Sequence, residues 1–129
     1  MKILVGYDGS NSAKEALELA KKHAEAFNAE VLVITSLTGG SVTHAVEVEQ
    51  ATEELAEIKN AFPESIPCET KLLVRGMNPG EDIVAYAEEQ GVDEIVIGVK
   101  RRSKVGKLLF GSNAQCVIIK ASCPVVTVK

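Results

Sequence analysis

Lys2-Ile3-Leu4-Val5-Gly6-Tyr7, Ala29 to Ser36, and Asp93-Glu94-Ile95-Val96-Ile97-Gly98 are short, mostly apolar runs without polar alternation. Strands of this kind are covered on both faces, which is the condition of a parallel sheet. Cys68 to Val74 alternates only partially and suits an edge position. Val125-Val126-Thr127-Val128, after Pro124, reads as a terminal strand.

Helical spacing fills the intervals. After the turn Asp8-Gly9-Ser10-Asn11, the residues Ala13, Ala16, Leu17, Ala20, Ala24 and Phe27 recur at three and four and predict an inward stripe. A second helix is expected from about Val42 to Ala61. Its stripe is Ala45, Val48, Ala51 or Thr52, Leu55 and Ile58, and Glu47, Glu49, Glu53, Glu54 and Glu57 form a solvated face. Asn78, Pro79 and Glu81 make a capping-box start for a third helix, which carries Ile83, Val84, Tyr86 and Ala87 inward and ends near Gly91. Ser112 or Asn113 is expected to cap a fourth helix through Val117, Ile118 and Ala121. Strand-helix alternation of this length predicts one α/β domain over residues 1–129. It is a doubly wound five-stranded parallel sheet, order 3-2-1-4-5, with four helices on two faces.

Charge is divided unevenly. From Ile95 to Lys129 there are seven Lys or Arg and no acid, whereas residues 1–94 hold all 18 acids and the other seven cations. The C-terminal part therefore suits an anionic partner. The net charge of −4 argues against nucleic acid. No apolar run approaches the roughly 20 residues that span a bilayer, and the opening Met1-Lys2-Ile3-Leu4-Val5 lacks the pattern of a secretory leader. No membrane association and a soluble, cytoplasmic protein are expected. Cys68, Cys116 and Cys123 lack CxxC spacing and read as buried thiols; His23 and His44 lack metal-ligand spacing and read as structural or surface residues.

In a doubly wound sheet a ligand lies outside the carboxyl ends of the strands, where strand order reverses. If the first and fourth strands flank that point, Asp8 and Gly98 face each other and Ser36 lies on the same rim. Asp8 can accept hydrogen bonds from a ribose or base edge, or it can cap the following helix. The missing Cβ of Gly98 admits a ligand or another backbone. Gly111-Ser112 opens the last helix, where N–H groups and a hydroxyl suit phosphate. Lys100, Arg101, Arg102, Lys104 and Lys107 can screen that charge or form a solvated loop. A Walker loop, a GxGxxG fingerprint, a nucleophile elbow and a receiver-type acidic pair are all absent, and no catalytic acid–base pair stands out.

Four segments together resemble the universal stress protein family over essentially the full chain. They are Ile3-Leu4-Val5-Gly6-Tyr7-Asp8-Gly9-Ser10, Asp93 to Gly98, Gly111-Ser112, and Cys123-Pro124-Val125-Val126-Thr127-Val128. The nucleotide-binding branch carries G-x2-G-x9-G-[ST]. Gly98 and Gly111-Ser112 fill its ends, and Arg101 replaces the second glycine.

The resemblance implies a stress-response or regulatory protein binding ATP or AMP, with Mg or Mn accompanying ATP, and at most slow ATP hydrolysis. Asp8 is then near the nucleoside and backbone around Ser36 near the adenine. Gly98 faces ribose or phosphate, and Gly111, Ser112 and Asn113 bind phosphates. Arg101 either closes the loop or contributes charge. The family also implies a homodimer paired through Pro124 to Lys129. The alternative is a nucleotide-free dimer acting through protein contacts. An adenylating enzyme is disfavoured, since neither SGGxDS nor HxGH occurs.

Overall fold

The computed structural model describes residues 1–40, 44–99 and 110–129. Strands and helices alternate as β1 (Lys2–Gly6), α1 (Asn11–Phe27), β2 (Glu30–Leu37), α2 (Ala45–Ala61), β3 (Cys68–Val74), α3 (Pro79–Gln90), β4 (Glu94–Gly98), α4 (Ser112–Lys120) and β5 (Val125–Val128). The sheet order is β3-β2-β1-β4-β5 and every neighbouring pair is parallel, which is the expected topology. The order reverses between β1 and β4, as the doubly wound reading requires.

Two cores sandwich the sheet. Ile3 and Val5 of β1 point to the layer formed by Ala13, Ala16, Leu17 and Ala20 of α1 and by Leu55 of α2. Leu4 points the other way, with Ile95 and Ile97, toward Ile83 and Ala87 of α3 and Val117 of α4. Successive side chains of a strand alternate faces, so runs without polar alternation supply both cores. The edge strand β3 has exposed Glu69 and Lys71, in keeping with its partial alternation.

Local details depart from the expected stripes. Phe27 is 56% exposed, with its ring edge-on to His23 at 5.7 Å. Ala24 takes the buried place in that last turn, and three residues further on falls about 60° short of a full turn, at the margin of the stripe. Ala45 is exposed in the first turn of α2, and Ile118 is 40% exposed on α4. The expected beginning of α2 at Val42 lies outside the described residues.

Helix starts differ too. Ser10 is the N-cap of α1, its Oγ accepting from Ala13 N at 3.1 Å. Gly111, rather than Ser112 or Asn113, occupies the N-cap of α4. Asn78 holds the N-cap position of α3 with Pro79 following, but among the described residues its side chain makes no capping bond. The cysteines are free and partly buried rather than buried. Burial pushes the Cys68 thiol up to about 11.

Candidate functional site

A cavity of about 610 Å³ opens over the carboxyl ends of β1, β2 and β4. That size lies within the range of small-molecule sites. Asp8, Ser36, Gly98, Gly111, Ser112 and Asn113 all line it, so the structure brings these expected site residues together. Lys100 and Arg101 fall outside the described residues.

The β1 side is built by a tight turn. Gly9 has φ +82°, a backbone geometry suited to glycine. Asp8 Oδ1 accepts from Ser10 N at 3.0 Å, and Ser10 then caps α1. The capping role considered for Asp8 thus belongs to Ser10; Asp8 holds the turn and stays exposed at the cleft.

Gly98 answers a different need from the one a ligand would impose. A Cβ there would lie 2.4 Å from the Ser12 carbonyl carbon and 2.6 Å from Ala13 N. Its absence admits the first turn of α1. Gly111 has φ −66° and ψ 164°, and a Cβ on it would meet nothing within 4 Å among the described residues. Among those residues no side chain caps the first turn of α4. That turn therefore presents its N–H groups, and the positive end of the helix dipole, at the cleft.

Asn113 is committed in part. Its Oδ1 accepts from Gly80 N at 3.0 Å, tying α4 to α3. The same contact explains Gly80, where a Cβ would come within 2.8 Å of Asn113 O and 2.9 Å of Cys116 Cβ. Pro79, in the first turn of α3, also lines the cleft, so two helix starts meet on this wall.

The β2 rim is fixed by its own hydroxyls. Thr35 Oγ1 donates to Tyr7 O at 2.9 Å, and Ser36 Oγ donates to Asp82 Oδ2 at 2.7 Å. Ser36 therefore offers the cleft its main chain, while its side chain points to α3.

The opposite wall was missed by sequence reasoning. Glu47, Gln50, Ala51 and Glu54 of α2 line the cleft at helical spacing. The sequence pattern places Glu47 and Glu54 with the other acids of this helix on a solvated face. The signal was available, because 47, 50, 51 and 54 form a second stripe beside the buried one. Glu54 reaches over the turn, its Oε2 3.4 Å from where a Cβ on Gly9 would stand. Burial raises the Tyr7 phenol above its usual range, and Glu54 and Asp8 raise it further. The cleft is thus polarised, with carboxylates on the α2 side and helix N-termini on the α3–α4 side. Such a site can take a ligand with an anionic end and a donor-rich end. Among the described residues, no group of three or more His, Cys, Asp or Glu is placed to hold a metal ion. No helix of those residues is long and apolar enough to cross a membrane.

The model of the universal stress protein family matches residues 1–129. The Thermus aquaticus universal stress protein in the QAH/OAS sulfhydrylase 3′ region is 33% identical, with 98% of this chain and 97% of that protein covered. A universal stress protein structure from Archaeoglobus fulgidus superposes with a TM-score of 0.90 at 39% identity, covering 100% of this chain and 98% of that one. A universal stress protein from the same organism, in complex with dAMP, gives 0.84 at 35% identity over 100% and 98% of the two chains.

Proposed function

Because this chain belongs to the universal stress protein family, we propose that it is a stress-response or regulatory protein that binds an adenine nucleotide, AMP or ATP, over the carboxyl ends of β1, β2 and β4. One observation carries the reading: the side-chain-free N-cap of α4 faces the same cleft as the β2 rim and Asp8. The dAMP complex of the Archaeoglobus fulgidus relative supports the ligand class.

In this reading the phosphates meet the N–H groups of Ser112 and Asn113, the Ser112 hydroxyl and the cationic side chains of Lys100 and Arg101. The adenine edge meets peptide groups beside Ser36. Asp8 accepts from the ribose. AMP leaves the α2 carboxylates clear of phosphate, and ATP, with Mg or Mn, brings further phosphates to the same cations. No group in the cleft is assigned to catalysis. The molecule pairs as a homodimer through Pro124 to Lys129 and works in the cytoplasm.

Calorimetry with AMP, ADP and ATP tests the proposal. Saturable heat is expected below about 1 mM, a modest affinity of roughly 4 kcal/mol or better. Asp8→Ala should weaken AMP about tenfold, the loss of one hydrogen bond to a charged acceptor. Arg101→Gly should also weaken AMP and flatten its salt dependence. Absence of heat from all three nucleotides at that concentration would sink the reading. Tighter binding by Arg101→Gly would favour the nucleotide-free alternative, in which Arg101, standing where the family pattern has glycine, fills the phosphate position.

A further inference from the structure

Asp82 is the one carboxylate among the described residues with no solvent exposure. It sits in the first turn of α3 and uses both oxygens. Oδ2 accepts from Ser36 Oγ at 2.7 Å. Oδ1 receives Arg75 Nε at 2.7 Å and Nη2 at 2.7 Å. Arg75 follows β3 directly, and its Nη1 reaches Glu89 Oε2 at 2.9 Å, two turns along α3. One side chain therefore fastens the end of β2, the end of β3 and the start of α3.

Stability is a poor reason for such a group. Asp82 is wholly buried while Arg75 remains exposed, and a carboxylate taken out of water carries a desolvation cost that its partners must first repay. What the anchor supplies is a fixed place for the β2 rim. Gly76 N adds a 3.1 Å bond to Thr38 O just beyond it, and Thr35 is held to Tyr7 on the other side. With both hydroxyls of the rim engaged inside the protein, peptide N–H and C=O groups are left to meet a base.

We propose that Asp82 is a positioning residue for the base end of the cleft, acting through Ser36 to set which purine edge the β2 rim accepts. The inference rests on the nucleotide reading given above. Adenine offers an N–H donor at N6 and an acceptor at N1; guanine offers an acceptor at O6 and a donor at N1. A peptide N–H and C=O held in place match one pattern and oppose the other. A rim free to shift accommodates both, since such recognition requires placement within about 0.5 Å.

The test compares AMP, GMP and ribose 5-phosphate binding in wild type, Ser36→Ala and Asp82→Asn, with urea unfolding of each. The preference of wild type for AMP over GMP should fall about tenfold in both variants, while affinity for ribose 5-phosphate, which has no base, stays unchanged. Ser36→Ala removes one hydroxyl and leaves Asp82 paired with Arg75, so it reports even if Asp82→Asn folds poorly. A preference unchanged in Ser36→Ala overturns the inference, as does an equal loss of AMP and ribose 5-phosphate binding, the mark of a merely structural role. Wild type that binds no AMP removes the nucleotide reading and this inference together. Wild type that binds AMP with variants of unaltered preference removes this inference alone.

Discussion

Gly98 and Ser12 approach so closely that a Cβ on the glycine would stand 2.4 Å from the serine carbonyl carbon. The end of β4 and the first turn of α1 therefore share a contact with no room for a methyl group. Gly98→Ala must push α1 outward, together with the core residues Ala13 and Ala16. Overpacking of this kind costs about 1–3 kcal/mol. Urea unfolding should show the free energy of unfolding lowered by that amount, and wild-type stability in Gly98→Ala would contradict the packing described.

Gly111 responds to a different constraint. Its backbone angles suit any residue and there is room for a side chain among the described residues. Gly111→Ser should cap α4 and leave stability equal or raised by a few tenths of a kcal/mol. The new hydroxyl would occupy a first-turn N–H and weaken AMP about tenfold. Calorimetry and denaturation on one preparation should thus move in opposite directions, and a serine variant with undiminished AMP affinity would remove α4 from the proposed phosphate site.

The edge of β5 permits a test of the proposed dimer. Ile95 N donates to Pro124 O and Val99 N to Val128 O, so the even-numbered residues of the strand turn their peptide groups toward β4. Val125 and Thr127 turn theirs to the open edge. Val126 and Val128 pack on the α1–α2 core, so a charge at either would also disturb folding. Thr127→Pro removes an outward N–H and spares the β4 ladder. Light scattering should give the monomer mass for this variant and twice that mass for wild type; equal masses would exclude this edge as the interface.

The Cys68 thiol, raised to about 11 by burial, gives a pH signature. The folded state holds its proton more tightly than the unfolded chain, whose thiol titrates near 9. Its contribution to stability is thus complete below about pH 9 and is lost as pH rises toward about 11. Cys68→Ala should remove that part of the alkaline decline. Parallel unfolding midpoints for the two proteins between pH 8 and 11 would contradict the shift.

The order of elements was legible because β1, β2 and β4 are mostly apolar runs without polar alternation and the intervening stripes repeat at three and four. The rim positions of Asp8, Ser36 and Gly98 followed from the ends of those strands. Single positions at helix ends were less so: Phe27, Ala45 and Ile118 fit a period, yet exposure there depends on what lies above the turn. Side-chain commitments were hidden for another reason. Ser36 and Asp82 are 46 residues apart, and a fully buried carboxylate looks like any polar residue in the first turn of a helix. Glu47 and Glu54 resembled solvated acids because the cleft they face is formed by other elements.

The close approach of α3 and α4 at Gly80 bears on how such a protein can change by inheritance. A Cβ there meets the backbone of α4, while Ile83 and Ala87, one and two turns further along α3, remain seated in the core. Replacement of this glycine would part the two helix starts and leave most of the sheet and its packing in place. A lineage could thus reshape this wall of the cleft through one substitution at position 80 and keep its fold for another use.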